Sequence, residues 1–238
     1  MILYEDLFEN DDYYILDKKY FNLLRRTRDI VADPSGWIDT FSNVGNAHDL
    51  FVPKLQGYNT DISNQLDDKK KNILELISNW DSFSFSTDNI TLCHSATVGS
   101  VIIMAFLKSK GIHTIISETP NYFATYNQAE ILGFKMILIP TYYENGFQFK
   151  INDEVLIDNQ PKAVWLTQPR TALGFNQNVE DISYILKRLS PNDFLIIDEA
   201  TEQFFPSVLA SFNPVKYPQI IKVRSIFKGL GINGIRLA

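Results

Sequence analysis

Short β-branched and apolar runs alternate with helical stretches along most of this chain. That rhythm predicts an α/β fold: a three-layer α/β/α arrangement around a mostly parallel, seven-stranded sheet. Three observations carry the expectation. The runs at 89–95, 114–117, 135–140, 162–167, 194–199, 219–224 and 235–238 are short and apolar, with the continuous rather than alternating pattern of strands buried on both faces. Helical patterns near 98–109, 121–132 and 178–189 separate them, as crossover helices between parallel strands must. Gly111 and Gly133 fall where the first two of these helices should stop.

Ahead of this region, residues 1–65 are rich in Asp, Asn and aromatics, carry turn clusters at 33–36 and 42–49, and lack sustained periodicity. They read as an arm and lead-in to a large domain over 66–238. The first clear helix begins near Asp67, with Ile73, Leu74, Ile77 and Trp80 on one face.

With 45% hydrophobic residues, a chain of 238 residues can bury a substantial core. Its net charge of −6, from 22 basic and 28 acidic residues, comes without the clustered basic surface that a phosphate backbone demands, so nucleic acid is not an expected partner. Cys93 alone permits neither an internal disulfide nor a thiolate metal cluster, which fits a reducing, cytoplasmic setting. The acidic first residues resemble no signal peptide, and the apolar run Val101 to Leu107 is too short to span a bilayer; no membrane is expected. The sequon at Asn89 reads as chance.

In a parallel sheet ligands collect at the carboxyl ends of the strands, so the chemistry is sought there. After 89–95 comes a small-residue turn, Ser95-Ala96-Thr97, opening a helix whose N-terminus could hold an anion; an ordinary helix cap explains it equally well. Tyr122 follows the next strand, where an aromatic face could cover a planar ligand or simply pack. Asp198 and Glu199 end a strand whose preceding four residues are wholly apolar, and a carboxylate at the edge of a core requires a cation or hydrogen-bond donors. The segment from Ser225 to Arg236 then gathers a hydroxyl, the Lys228 amine and a guanidinium around a glycine-rich backbone.

Some apparent motifs carry nothing. Gly229, Gly231 and Gly234 spell the dinucleotide fingerprint, but that motif needs a following helix and an acidic residue about 20 positions on, and four residues remain. His48, His94 and His113 are scattered, so no metal site is expected, and no nucleophile elbow surrounds Ser95.

The order of these segments resembles the class I/II aminotransferases of the fold-type-I pyridoxal-phosphate (PLP) enzymes over about residues 50–238. The tail from Ser225 through Lys228 to Arg236 is similar to the family's Schiff-base segment. The resemblance implies that Lys228 is the Schiff-base lysine, that Ser225, Arg236, Ala96 and Thr97 bind the cofactor phosphate, that Asp198 pairs with the pyridine nitrogen, and that Tyr122 stacks on the ring. It likewise implies a homodimer in which Tyr58 reaches the phosphate of the neighbouring subunit. Two positions depart from the pattern: Thr171 stands where the family has an asparagine on the ring hydroxyl, and Thr201 where it usually has a tyrosine. The sequence also stops two residues after Arg236, so no C-terminal small domain with its substrate-carboxylate arginine is expected within it. The implied activity is transfer of an amino group between an amino acid and a 2-oxo acid. A lyase or decarboxylase of the same fold, or a catalytically impaired relative, remains compatible.

Overall fold

The computed structural model describes residues 2–3, 65–81, 84–157, 160–201, 209–225 and 238. Its elements are β1 (Ile2–Leu3), α1 (Gln65–Asp81), α2 (Ala96–Ser109), β2 (Thr114–Thr119), α3 (Phe123–Ile131), β3 (Lys135–Pro140), α4 (Asp153–Leu156), β4 (Lys162–Thr167), α5 (Val179–Leu186), β5 (Phe194–Glu199) and β6 (Ile220–Arg224).

Among the described residues the strands form one six-stranded sheet in the order β1-β3-β2-β4-β5-β6. β1 runs antiparallel to β3 and the remaining pairs are parallel. The expected α/β/α layering is present, because successive side chains of a strand point to opposite faces. Ile115, Trp165 and Ile196 pack with Met104 and Leu107 of α2 and Ala129 of α3. Their neighbours Ile116, Leu166 and Ile197 pack on the other face with Ile182 and Ile185 of α5. β4 is buried throughout, and this two-sided burial is what made its sequence a continuous apolar run.

Helix ends follow local chemistry. The Ser95 side chain accepts from the Val98 N–H and starts α2. Gly111 and Gly133 take φ values of +76° and +68° beyond the ends of α2 and α3, which a residue without Cβ adopts at no steric cost. On α1, Leu74 is buried and Ile73 and Ile77 half-buried.

Two expectations about the sheet are corrected. Residues 89–95 do not form a strand: a 3₁₀ turn occupies Thr87–Asn89, and the extended stretch beyond it holds one reciprocal backbone pair, Cys93 N–H to Ala238 O and Ala238 N–H to Cys93 O, each 2.8 Å. Of 235–238 only Ala238 lies within the described residues. Conversely, Ile2–Leu3 adds a short edge strand inside the region read as an irregular lead-in. The sheet therefore shows six strands among the described residues, five of them at expected positions. No helix among them is long and apolar enough to cross a membrane.

Ile196 is fully buried near the middle of this sheet. Replacing it by Ala should cost about 2–5 kcal/mol, measured by urea denaturation; a loss within error of zero would contradict the packing described.

Candidate functional site

The chain order fixes where a crevice opens. From β2 the chain moves outward to β3, then returns past β2 to β4 and proceeds the other way to β5 and β6. The reversal point lies between β2 and β4, and ligands of open α/β sheets bind outside the carboxyl ends of the strands at such a point. The two strands part there: their ladder pairs Thr114–Ser117 with Lys162–Trp165 and stops, leaving Glu118 and Thr119 without ladder partners on β4.

Polar side chains take over where the ladder ends. Ser117 Oγ donates to the Trp165 carbonyl at 3.0 Å and accepts from Asn121 Nδ2 at 2.8 Å. Glu118, fully buried, accepts from the Thr167 N–H (3.4 Å), from Arg170 Nε (2.6 Å) and from Gln177 Nε2 (2.5 Å). Burial pushes its carboxyl up from the ordinary range, against the downward pull of the Arg170 guanidinium. Gln177 Nε2 also donates to the Thr167 carbonyl at 2.8 Å, and Arg170 Nη1 to the Phe147 carbonyl. The turn after β4 is closed by Arg170 N–H to Phe175 O and by Gln168, whose Oε1 accepts from the Gln177 N–H, each at 2.7 Å.

Asp198 is buried at the end of β5, opposite Thr167 on one side and Val223 on the other. Its Oδ1 accepts from the Ala200 N–H at 3.0 Å. Side-chain alternation from Trp165 and Ile196 puts Thr167 and Asp198 together on the α2 face. Thr171 joins them, its N–H and Oγ1 both directed to Thr167 Oγ1 at 3.1 and 3.2 Å. Half-buried Ser225 comes directly after β6, two residues past Val223.

The N-terminus of α2, with half-buried Ala96 and Thr97, lies at the same edge, because the other end of the helix leads into the start of β2. Close packing holds it there. A Cβ built on Gly99 would lie 3.1 Å from Cys93 Sγ and 3.7 Å from Val223 Cγ1. Gln128 of α3 adds a bond from Nε2 to the Thr97 carbonyl at 3.2 Å.

Thr97, Thr171, Asp198 and Ser225 thus share one end of the sheet. Tyr122 is the residue before α3, exposed, its ring tilted on Phe123 at 4.8 Å. Thr201 lies half-buried in the turn after β5. Tyr58, Lys228 and Arg236 fall outside the described residues. The Ser95 hydroxyl accepts from the Val98 N–H as the cap of α2, and that bond engages a lone pair and not its proton. Thr167, Glu118, Arg170 and Gln177 escaped the sequence reading, although Glu118 follows four apolar or small residues at a strand end much as Asp198 does.

The family profile "Aminotransferase class I and II" matches residues 56–238, more than three quarters of the sequence. The chain belongs to this family. A histidinol-phosphate aminotransferase from Buchnera aphidicola subsp. Diuraphis noxia is 28% identical over 165 residues, spanning 68% of this chain and 45% of that protein. An L-serine phosphate decarboxylase from Sulfurospirillum multivorans is 26% identical, spanning 66% and 41%. The chain covers less than half the length of either. Among solved structures, cystalysin from Treponema denticola, described as containing a pyridoxal 5'-phosphate cofactor, matches with a TM-score of 0.60 and 17% identity over 79% of this chain and 48% of that one. That likeness concerns the fold.

Replacing Ser95 by Ala removes the cap acceptor of α2 and should cost about 1 kcal/mol of stability in denaturant melts. An unchanged midpoint would mean that the Val98 N–H finds water as readily.

Proposed function

We propose that this chain is the cofactor-binding part of a PLP-dependent aminotransferase that moves an amino group between a small amino acid and a 2-oxo acid. The observation that carries the reading is the position of Asp198: a buried carboxylate at a strand end, on the same face and edge as a helix N-terminus. A planar cation with a phosphate arm is complementary to that pair of groups. The close approach at Gly99, which keeps the first turn of α2 against β6, supports the fit.

When bound, PLP supplies an electron sink for a carbanion at the α-carbon of the amino acid. Asp198 keeps the pyridine nitrogen protonated, since a nearby opposite charge favours the charged form. The phosphate is held by the Ala96 and Thr97 end of α2, by Ser225 and by Arg236, whose paired donors suit phosphate oxygens. Tyr122 covers one face of the ring. Thr171 and Thr201 would be the hydroxyls available to the ring oxygen. Lys228 would supply the amine for covalent attachment and the base for the α-proton. Tyr58 reaches the phosphate of a second copy, making the enzyme a homodimer with shared sites. On this reading the large domain spans 66–238, with Ile2–Leu3 added at the edge of its sheet.

A decarboxylase reading is favoured by one observation, the 26% identity to the L-serine phosphate decarboxylase. Incubation with amino acids in the presence of a 2-oxo acid separates the two: transamination yields a new 2-oxo acid, decarboxylation releases carbon dioxide.

Replacing Lys228 by Ala should abolish covalent trapping of PLP by borohydride while some noncovalent PLP remains. Labelling of the variant at a single other lysine would identify a different nucleophile. Replacing Asp198 by Ala should leave trapping intact but slow substrate deprotonation by about ten- to a hundred-fold, the worth of one charge-assisted contact at roughly 1.5–3 kcal/mol. An unchanged rate would remove Asp198 from the ring site.

A further inference from the structure

We propose that Glu118 is a positioning residue of this site: its buried carboxylate fixes the turn after β4 so that Thr171 stands beside Asp198. The proposal rests on the PLP reading only for what the turn is positioned toward.

The geometry begins where β2 and β4 part. Beyond the Ser117–Trp165 pair the ladder no longer fixes the relative position of the two strand ends. Three bonds tie β2 to the departing turn, and each ends on the Glu118 carboxylate: Thr167 N–H, Arg170 Nε and Gln177 Nε2. The first stands in for a missing ladder bond, and Gln177 completes the substitution by donating to the Thr167 carbonyl. All three partners are donors, and an ionised carboxylate, which only accepts, satisfies them together.

Arg170 and Thr171 are consecutive, yet they go to opposite faces of the sheet. Glu118 shares the α5 face with Ile116, and Arg170 is drawn there to 7% exposure. Thr171 is turned to the α2 face, where its N–H and hydroxyl both meet Thr167 Oγ1. Anchoring Arg170 below the sheet edge therefore sets the height of Thr171 above it. Thr167 is the register partner of Asp198, so the same anchor sets the spacing between the Thr171 hydroxyl and the Asp198 carboxylate.

An alternative role is that of mere counter-ion, with Glu118 present only because a buried Arg170 requires a charge. Two variants separate the roles. Glu118→Leu combined with Arg170→Met removes both charges and leaves no buried cation unpaired; Gln177→Met cuts one arm without touching charge and serves if the pair does not fold. For each, three quantities are read on the whole chain: the melting temperature, amide hydrogen exchange across 167–177, and the pH midpoint of the absorbance of added PLP. For the charge-free pair we expect a melting temperature lowered only as far as the orphaned Thr167 N–H and Gln177 amide require, and exchange at Thr167 and Thr171 faster by about tenfold, the scale of one lost net hydrogen bond. We also expect an absorbance midpoint moved by about half a pH unit, roughly a threefold change in the titrating equilibrium. Gln177→Met should shift exchange and midpoint in the same sense by less. Exchange and midpoint both unchanged would overturn the positioning role and leave Glu118 a counter-ion. If the unsubstituted chain takes up no PLP, the cofactor reading fails by itself, and the exchange data alone decide whether Glu118 holds the turn: acceleration supports the proposal, no acceleration overturns it.

Discussion

The parting of β2 and β4 is the constraint around which the rest of the structure is arranged. A parallel sheet built outward in both directions from one point must leave a crevice there, because the connections on either side run away from each other. Backbone groups released from the ladder inside a buried crevice need partners, since an unpaired N–H or carbonyl costs as much as a lost hydrogen bond. Ser117, Glu118 and Gln177 provide them here. The requirement brings charged and amide side chains into the interior and, with them, a turn of fixed shape beside Asp198.

Burying carboxylates is costly, and both faces of the sheet edge supply partners for them. On the α5 face Glu118 takes Arg170, and Glu199 takes Arg224 at 2.6 Å and Lys222 at 3.4 Å. These are locked ion pairs that stiffen the strand ends. On the α2 face Asp198, the register partner of Thr167, accepts from the Ala200 N–H. One residue of β5 separates the two faces, because Asp198 and Glu199 point to opposite sides.

Much of this was legible in the sequence. Strands buried on both faces betray themselves as apolar runs, and 135–140, 162–167 and 194–199 were bounded to the residue. Residues 89–95 look like the same kind of segment, yet the reciprocal pairing of Cys93 with Ala238 concerns a partner 145 positions away, which no local pattern encodes. β1 is two residues long, below the length at which periodicity means anything. Asp198, Ser225 and Thr97 stood out as polar residues at strand and helix ends. Glu118 meets the same criterion, but its partner Arg170 lies 52 residues on and resembles any exposed loop arginine. A buried ion pair of that separation is a tertiary fact.

The departure at Thr171 takes on a different meaning once its neighbour is known. A threonine is shorter than the asparagine of the family pattern and has one proton to donate where the amide has two. It is not alone: Thr171 Oγ1 lies 3.2 Å from Thr167 Oγ1, and Thr167 Oγ1 also accepts from the Thr171 N–H. Each hydroxyl carries one proton and two lone pairs. The bond between them consumes one proton, which leaves the second for a third acceptor on the α2 face, where Asp198 is the register neighbour of Thr167. The pair therefore leaves one hydroxyl proton to donate on that face, while the Thr167 N–H is bonded to Glu118 on the other.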